Sequence, residues 1–419
     1  MLTPLVLLRL VWRGFRARAY WQRWAERFGF IPVVIKQPAI WVHCVSVGET
    51  LAALPLIRRL QQQYPGFTLV VSTTTPTGSE QVTAALGEQV VHTYIPYDLP
   101  GSVRRFINNI QPRLAVIMET ELWPNLFGAC HDQHIPLVIV NARLSPRSMR
   151  GYARFARLTA RTLQQTSLIA AQTQVDAQRF LALGAVPERV VVSGNIKFDM
   201  NVPASLAEQA QVLRRAWNGG ADTQRQVWIA ASTHEGEDEQ VLEALQQIRQ
   251  LLPQLLLVLV PRHPERFDRV ASLCRERGFT TVRRSAGESC TAETAVFVGD
   301  TMGELRLFYA ASDIAFVGGS LVATGGHNVL EPAMLGRPVI FGPHMFNFTE
   351  AAELLLAADA ATQVMDTAQL VEAVLRYAQD APLRVSAGEQ GQQVVAANRG
   401  ALDVTLEEIT RLLPAGQGE

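Results

Sequence analysis

The residues of the second half of the chain that are best suited to chemistry lie within positions 314–336. An apolar run there ends in Val-Gly-Gly-Ser, and Gly-Gly-His-Asn follows it before Glu331. A glycine-rich turn between a strand and a helix lets bare backbone N–H groups approach a phosphate, and the helix dipole adds its positive end. The pattern predicts a nucleotide phosphate site, although Asn328 and Glu331 also have the spacing of a helix-capping pair.

Two further charged residues follow apolar runs of the same half. Arg262 follows positions 255–260, and Glu304 follows positions 295–299. Ligands of parallel sheets bind beyond the carboxyl ends of the strands, so both side chains are candidates for nucleotide contacts. Arg262 could instead pair with Glu265, and Glu304 could simply complement a helix N-terminus.

The first half places carboxylates at two such junctions. Ser46 and Glu49 have the spacing of a capping box, while a carboxylate at the head of a helix could also face a ligand. Further along, Glu119 and Glu121 stand close to Trp123, an arrangement common in sugar-binding sites. A turn anchored by the indole is the alternative.

Metal and disulfide chemistry are not indicated. The sequence contains no Asp-x-Asp, and its eight histidines form no i, i+4 pair. We therefore expect a reaction that needs no metal and no cofactor. The four cysteines are far apart and include no Cys-x-x-Cys, which favours a reducing compartment over a disulfide framework or a zinc site.

The elements that must position these residues are short apolar runs that alternate with helical stretches. Fully apolar runs of this kind indicate parallel strands covered on both faces, and thus a doubly wound α/β fold. The runs of the first half are 40–46, 68–75, 90–97, 114–119, 136–141, 167–171 and 189–193. After a polar stretch, the runs of the second half are 227–231, 255–260, 280–283, 295–299, 314–318 and 338–341. We expect two Rossmann-like domains, at residues 31–200 and 201–388, and a closing helical segment at 389–419.

The first thirty residues are distinct in charge. They carry six arginines and one acid, although the net charge of the whole chain is zero, so nucleic acid is not an expected partner. Arg9, Arg13 and Arg16 share one helical face, and Leu8, Trp12 and Phe15 share another, which predicts a membrane-associating amphipathic segment over residues 1–30. The apolar run 5–8 is too short for a spanning helix. An amphipathic helix that packs on its own domain is the alternative to membrane contact.

Taken in order, these stretches resemble the Kdo transferases of lipopolysaccharide and lipid A biosynthesis. The matching stretches begin at Ser46 (Ser-Val-Gly-Glu), Thr74 (Thr-Thr-Pro-Thr-Gly), Met118 (Met-Glu-Thr-Glu-Leu-Trp-Pro-Asn), Asn141 (Asn-Ala-Arg-Leu-Ser), Val260 (Val-Pro-Arg-His-Pro-Glu-Arg), Gly299 (Gly-Asp-Thr-Met-Gly-Glu) and Gly325 (Gly-Gly-His-Asn-Val-Leu-Glu-Pro). The resemblance implies a GT-B glycosyltransferase whose two domains face a cleft. It also implies inverting transfer of 3-deoxy-D-manno-octulosonic acid (Kdo) from CMP-Kdo to a lipid A precursor, lipid IVA, at the cytoplasmic face of the inner membrane.

The resemblance also assigns roles to residues. It implies that the first domain binds the acceptor, that the second binds the CMP-sugar and that Glu49 is the general base. The implied CMP contacts are Pro261, Arg262, Met302, Gly303, Glu304, Asn328, Val329, Leu330 and Glu331. The family often has proline at the position of Val329.

Two other functions fit parts of the pattern. A nucleotide-sugar epimerase can share the two-domain fold and the phosphate loops, but it would rearrange the donor without an acceptor. A non-catalytic two-domain binding protein would bind the donor without turnover. The amphipathic amino terminus disfavours the first of these, and Glu49 disfavours the second.

Overall fold

The computed structural model describes residues 22–219 and 225–414, which form two compact units. The first unit comprises the described residues up to Asp199 together with those from Asn398 onward, and the second unit is Met200–Ala397. Most of the amphipathic segment predicted over residues 1–30 lies outside the described residues. None of the described helices is both long enough and apolar enough to cross a membrane.

The first unit is built on one parallel sheet of seven strands. The strands are β1 (Ala39–Cys44), β2 (Thr68–Thr73), β3 (Val91–Tyr94), β4 (Pro112–Met118), β5 (Leu137–Ala142), β6 (Leu168–Ala171) and β7 (Val190–Val192). Their order is β3-β2-β1-β4-β5-β6-β7, and every adjacent pair is parallel. This is the doubly wound order: β2 and β3 are added on one side of β1, and β4 to β7 are added on its other side. The winding of the sheet therefore reverses between β1 and β4.

Helices cover both faces of this sheet. They are α1 (Val47–Gln63), α2 (Pro76–Leu86), α3 (Pro100–Ile110), α4 (Pro124–Asp132), α5 (Pro146–Ala153), α6 (Ala156–Gln164) and α7 (Gln174–Ala182). Short 3-10 helices lie at Trp24–Phe28, Gly87–Gln89, Pro187–Arg189 and Ile196–Phe198. Hydroxyl side chains cap four of the α-helices by accepting a hydrogen bond from an N–H of the first turn, namely Ser46, Thr75, Ser145 and Thr173.

The second unit repeats the architecture. Its strands are β8 (Val227–Thr233), β9 (Leu256–Pro261), β10 (Thr281–Arg283), β11 (Val296–Val298), β12 (Ile314–Val317), β13 (Val339–Phe341) and β14 (Ala361–Gln363). The parallel sheet has the order β10-β11-β9-β8-β12-β13-β14. The winding of this sheet therefore reverses between β8 and β12. The predicted α/β fold class, with two doubly wound sheets, is therefore confirmed.

The helices of the second unit are α8 (Leu206–Trp217), α9 (Glu237–Leu251), α10 (Phe267–Glu276), α11 (Leu305–Ala311), α12 (Leu330–Met334), α13 (Thr349–Ala357), α14 (Thr367–Gln379) and α15 (Ala381–Ala397). A 3-10 helix spans Pro264–Arg266. α9 and α14 pack on one face of the sheet, where Leu245 and Val374 are fully buried. α8 and α11 pack on the other face, where Trp217 and Phe308 meet Phe297 of β11.

A sixteenth α-helix, α16 (Ala401–Leu412), belongs to the first unit although it follows the second in the chain. Leu402, Leu406 and Ile409 of this helix join the core formed by β1, α1 and their neighbours. The Asp199 carboxylate accepts backbone N–H bonds from Gly400 and Leu402, both at 2.6 Å, and so holds the start of the helix. The first core therefore combines residues from both ends of the described chain.

Candidate functional site

Three carboxylates lie at the point where the first sheet reverses its winding. Glu49 is in the first turn of α1, directly after β1, while Glu119 and Glu121 follow β4, which is the neighbour of β1. The predicted junctions of the first half therefore meet at one edge of the sheet. This is the position where ligands bind in doubly wound sheets.

Glu49 is held by its own helix start. Its Oε2 accepts the backbone N–H of Val45 at 2.8 Å, and its Oε1 accepts the Ser46 hydroxyl at 3.0 Å. The Ser46 oxygen in turn accepts the Glu49 N–H at 3.3 Å, so the capping interaction is present. Capping and chemistry are compatible, because the same two donors also fix the orientation of the carboxylate.

The surroundings of Glu49 raise its pKa from 4.5 to about 7. Burial is the largest cause, and the negative charges of Glu119 and Glu121 act in the same direction. The hydrogen bonds from Val45 and Ser46 oppose the rise, since they stabilise the ionised form. A carboxylate whose pKa lies near neutrality is suited to take a proton from a hydroxyl.

Glu119 and Glu121 differ in their partners. Glu119 has a backbone φ of 56°, in the left-handed region that non-glycine residues seldom occupy, and its Oε1 lies 3.4 Å from the Lys197 ammonium. Lys197 comes from the 3-10 helix after β7. Burial and the charge of Glu119 raise the pKa of Glu121. Lys197 thus places one positive charge within an otherwise acidic cluster.

In the second unit, the glycine-rich turn after β12 is occupied by a protein carboxylate. Glu237, the first residue of α9, is fully buried. Its Oε2 accepts the N–H of Gly319 at 2.6 Å, and its Oε1 accepts those of Ser320 and Leu321 at 3.0 and 2.9 Å. The expectation that this part of the turn offers bare N–H groups to a phosphate is therefore wrong, because Glu237 already satisfies them.

The later part of that segment is shaped by two glycines. Gly325 and Gly326 have φ values of 102° and 72°, and a Cβ on either would lie 2.3 Å from a side-chain atom of Asn347 or Met345. The tight turn leads to α12, which begins at Leu330. Only glycine combines these φ values with so close an approach.

Asn328 and Glu331 do not cap the helix reciprocally. Asn328 Oδ1 accepts the N–H of Leu330 at 3.1 Å, but Glu331 Oε1 lies 3.2 Å from Arg306 Nε. Val329, which occupies the N-cap position, is buried and has no side-chain cap hydrogen bond. The two polar residues therefore have separate partners.

Arg262 lies beside three histidines at the carboxyl edge of the second sheet. His234 follows β8, Arg262 and His263 follow β9, and His327 lies in the glycine-rich segment. The Nε2 atoms of His234 and His327 are 2.8 Å apart, with the rings stacked at 10°, and His263 meets His234 edge-on. One ring must donate and the other accept in this contact.

Burial and neighbouring cationic groups lower the pKa of His234 and of His327, while the Glu237 carboxylate opposes the shift at His234. Burial lowers the pKa of His327 to about 3, and Arg262, His234 and His263 contribute to the shift in the same direction. The half-buried Arg262 side chain forms no hydrogen bond or ion pair with any residue in the described ranges, so its expected alternative pairing with Glu265 is not formed. A guanidinium beside three imidazoles can bind an anion.

The neighbouring Arg266 has a structural role. It donates to the Thr233 carbonyl at 2.6 Å and pairs with the buried Asp238 carboxylate. It therefore ties the end of β8 to α9. The two arginines of one stretch differ because only Arg262 lacks such partners among the described residues.

Met302, Gly303 and Glu304 follow β11, which adjoins β9. Met302 is 65% exposed, and Gly303 has a φ of 84°. Glu304 accepts two hydrogen bonds from Arg284, at 2.6 and 3.0 Å, and these lower its pKa. Its carboxylate is thus ionised and fixed, as a hydrogen-bond acceptor for a polar ligand group must be.

The described residues include no group of three or more His, Cys, Asp or Glu side chains that could hold a metal ion. The direct contact of His234 with His327 leaves no room for an ion between their Nε2 atoms. Sequence reasoning did not single out His234, Glu237 or His327. His234 follows an apolar run and His327 follows two glycines, so the sequence does carry a signal for these two histidines. Nothing in the sequence marks Glu237 as the partner of a loop about eighty residues further on.

Comparisons with known proteins give one family and one fold. A family model described as 3-deoxy-D-manno-octulosonic-acid transferase (kdotransferase) matches residues 22–200. A 3-deoxy-D-manno-octulosonic acid transferase of Haemophilus influenzae is 45% identical over 407 residues, which are 96% of this chain and 94% of the relative. Its counterpart from Bordetella pertussis is 37% identical and covers 97% of this chain and 96% of its own length.

Among solved structures, UDP-GlcNAc 2-epimerase from Neisseria meningitidis, bound to UDP-GlcNAc, has a TM-score of 0.58. The likeness covers 89% of this chain and all of that one at 16% identity. A sequence identity this low is evidence for a shared fold alone.

Proposed function

We infer the function of this chain from its family. The chain belongs to the 3-deoxy-D-manno-octulosonic acid (Kdo) transferase family, and it is a glycosyltransferase. We propose that it transfers Kdo from CMP-Kdo to a lipid A precursor in lipopolysaccharide biosynthesis. The observation that carries the chemical part of the proposal is Glu49, an oriented carboxylate at the winding reversal of the first sheet with a pKa of about 7.

In this proposal Glu49 is the general base of an inverting transfer. Its carboxylate takes the proton from an acceptor hydroxyl while the hydroxyl oxygen bonds to the anomeric carbon of Kdo. The bond from that carbon to the phosphate oxygen breaks, and CMP leaves with the electron pair. Burial of Glu49, together with the charges of Glu119 and Glu121, supports this role because it raises the pKa of Glu49 enough for the carboxylate to take up the proton.

The second unit binds the donor in this scheme. Arg262 is the proposed contact of the phosphate, since its guanidinium has no described protein partner and its positive charge acts on both His234 and His327. Glu304, ionised by Arg284, is the proposed acceptor of hydrogen bonds from the nucleoside. The other proposed CMP contacts are Pro261 at the end of β9, Met302 and Gly303 after β11, and Asn328, Val329, Leu330 and Glu331 at the start of α12.

The first unit is the proposed acceptor-binding domain, and the cytoplasmic face of the inner membrane is the proposed location. The arginines of residues 1–18 support the location, since each basic residue near an anionic bilayer contributes about 1 kcal/mol. Deletion of residues 1–18 should therefore release protein from anionic vesicles. Unchanged co-sedimentation would contradict this role for the segment.

The function is tested by incubating the protein with CMP-Kdo and a tetraacylated lipid A precursor and reading both products by mass. We expect the acceptor to gain Kdo and CMP to be released. Glu88→Gln is a matched control, because Glu88 is an exposed carboxylate of the same unit outside the site. A rearranged donor without a modified acceptor would instead indicate an epimerase, and donor binding without any product would indicate a binding protein.

A further inference from the structure

His234 and His327 form a pair of imidazoles that share one hydrogen. Their Nε2 atoms are 2.8 Å apart, and the planes of the two rings differ by only 10°. Two nitrogens at this distance form a hydrogen bond only if one of them carries a hydrogen. The ring that donates at Nε2 has a bare Nδ1, whereas the ring that accepts has an Nδ1–H. The neutral pair therefore presents one N–H donor and one lone pair at its two outer nitrogens.

The outer nitrogens of the pair are available to a ligand. Neither ring is fully buried, and neither Nδ1 atom forms a hydrogen bond with any residue in the described ranges. The two rings therefore keep a hydrogen-bonding capacity that the fold does not use.

The main chain fixes the position of both rings. Glu237 Oε2 accepts the N–H of His234 at 2.9 Å and that of Gly319 at 2.6 Å, so one carboxylate joins the two segments. Gly319 lies against the ring of His327, because a Cβ at this glycine would lie 3.0 Å from Cδ2 and 3.2 Å from Nε2. The Gly319 carbonyl also accepts the N–H of Gly326, the residue before His327, at 2.7 Å. The pair is thus held by the backbone.

The second unit has few positive charges that are free to meet a ligand at this edge of the sheet. No lysine occurs in residues 200–397. Three arginines near the edge have carboxylate partners: Arg266 pairs with Asp238, Arg284 with Glu304 and Arg306 with Glu331. Arg262 has no such partner among the described residues. CMP-Kdo carries two negative charges next to its anomeric carbon, the phosphodiester and the sugar carboxylate, so Arg262 alone leaves one of them unbalanced.

The groups that face the pair keep it neutral in the absence of an anion. Burial is the largest cause of the low pKa of both rings, and the pKa of His327 is about 3. The charged and titratable neighbours are Arg262 and His263 at both rings, Arg266 and Glu237 at His234, and His344, whose carbonyl lies next to Gly326. An anion bound beside Arg262 offsets part of the positive charge and so favours an additional proton on the pair.

We propose that the His234–His327 pair binds an anionic group of the donor and takes up one proton from water as it does so. With the additional proton, both outer nitrogens carry N–H. The pair then has two outward donors and one positive charge, and together with Arg262 it balances the two negative charges of CMP-Kdo. The proposal rests on the proposed function in taking CMP-Kdo as the donor.

The test counts protons by isothermal titration calorimetry of the full chain with CMP-Kdo, without acceptor, in buffers of different ionisation enthalpy. Near pH 6 we expect the uptake of about one proton for each donor bound. The free pair is neutral at this pH and the bound pair is protonated, so the donor affinity should fall as the pH rises. The fall should be about tenfold per pH unit between about pH 5 and pH 7.

A second ligand identifies which anion the pair binds. The methyl ester of CMP keeps the phosphodiester charge and lacks the sugar carboxylate. Proton uptake with both ligands would support the proposal and assign the pair to the phosphate, whereas uptake with CMP-Kdo alone would support it and assign the pair to the carboxylate. Binding of CMP-Kdo by the parent chain without proton uptake would overturn the proposal.

His234→Gln/His327→Gln removes both titrating rings, while the two amides can still form a hydrogen bond with each other. This variant should lose the proton uptake and the pH dependence of the donor affinity. The ligand is the same in both titrations, so any ionisation of its cytosine base cancels in the comparison. His131→Gln is the matched control, because His131 is an exposed imidazole of the first unit, and it should change neither quantity.

His263→Gln tests the exposed imidazole that lies edge-on to His234. We expect this variant to keep the proton uptake. Loss of the uptake in His263→Gln, with uptake retained in His234→Gln/His327→Gln, would overturn the proposal, because the proton would then bind to a single surface ring.

Transfer of Kdo to the lipid A precursor, measured at saturating donor, separates this inference from the proposed function. At saturating donor the pair is already protonated, so the pH profile of turnover reports Glu49. Transfer by a chain that binds CMP-Kdo without proton uptake would refute the inference and leave the transferase proposal supported. Proton uptake by a chain that binds these ligands and transfers no Kdo would support the inference and refute the transferase proposal. Absence of binding of both ligands would refute both.

Discussion

Replacement of Glu49 by glutamine separates proton transfer from helix capping. Glutamine has an oxygen that can accept the Val45 N–H and an amide that can donate to the Ser46 oxygen, so both contacts have a neutral counterpart. The amide cannot take a proton from a sugar hydroxyl. We expect turnover to fall by roughly 10² to 10⁴ while CMP-Kdo binding persists, because the proposed donor contacts are in the other unit.

The same replacement should stabilise the first unit at alkaline pH. The fold raises the pKa of Glu49 from 4.5 to about 7, and each pKa unit corresponds to about 1.36 kcal/mol. The contribution of this carboxyl group to stability is therefore fully present below its unfolded pKa and is lost as the pH rises through about 7. Above pH 8 the ionised Glu49 lowers the free energy of unfolding by up to about 3 kcal/mol. The loss is smaller to the extent that water still solvates the carboxylate. Glutamine is uncharged at every pH and avoids this cost.

Calorimetric unfolding of parent and Glu49→Gln at pH 4 and pH 8.5 measures the effect for each unit separately. At pH 8.5 the unfolding temperature of the first unit should be several degrees higher in Glu49→Gln than in the parent, at about 2–4 °C per kcal/mol. At pH 4 the two proteins should unfold at the same temperature. Glu88→Gln should shift neither transition. A variant that is destabilised at both pH values and keeps near-normal turnover would show that Glu49 only caps α1, and Glu119 and Glu121 would be the next carboxylates to replace.

Three further predictions follow from the site. The pH profile of kcat/KM should fall about tenfold per pH unit below an apparent pKa near 7, because Glu49 must be ionised to accept a proton; a profile that stays flat down to pH 5 would remove it from the mechanism. Arg262→Ala should weaken CMP binding roughly 10- to 100-fold in calorimetric titration without changing the unfolding temperature. Arg266→Ala should instead destabilise the second unit by about 3 kcal/mol, because Asp238 is left buried without its ion-pair partner. Activity should survive a chelator, since Arg262 supplies the positive charge that the leaving CMP needs, and full loss that Mg²⁺ restores would refute this.

The parts of the site that sequence could predict are those determined by local pattern. β1, β4, β8, β9, β11 and β12 coincide, to within a residue or two, with apolar runs read from the sequence, and residues such as Glu49 and Arg262 follow closely after the ends of those runs. The carboxyl ends of parallel strands lie at the same edge of the sheet, so a shared edge could be expected for these residues without knowledge of the strand order.

Pairings between distant segments could not be predicted in that way. Glu237 fills the turn after β12, and His234 meets His327, only because β8 and β12 are neighbours in the sheet. Likewise, the helical spacing of Leu402 and Leu406 indicated a helix but not which core would receive it. Such contacts depend on tertiary packing, for which one sequence has no local signal.

The return of α16 to the first unit has a consequence for how the protein is made. A ribosome releases every residue of Met200–Ala397 before the helix at Ala401–Leu412 that completes the first core. The second unit therefore has its whole sequence available while the first still exposes the apolar groove of α1 where Leu402, Leu406 and Ile409 will pack. Completion of the fold therefore inverts the order of synthesis, because the half of the chain that is translated first is the last to close its core.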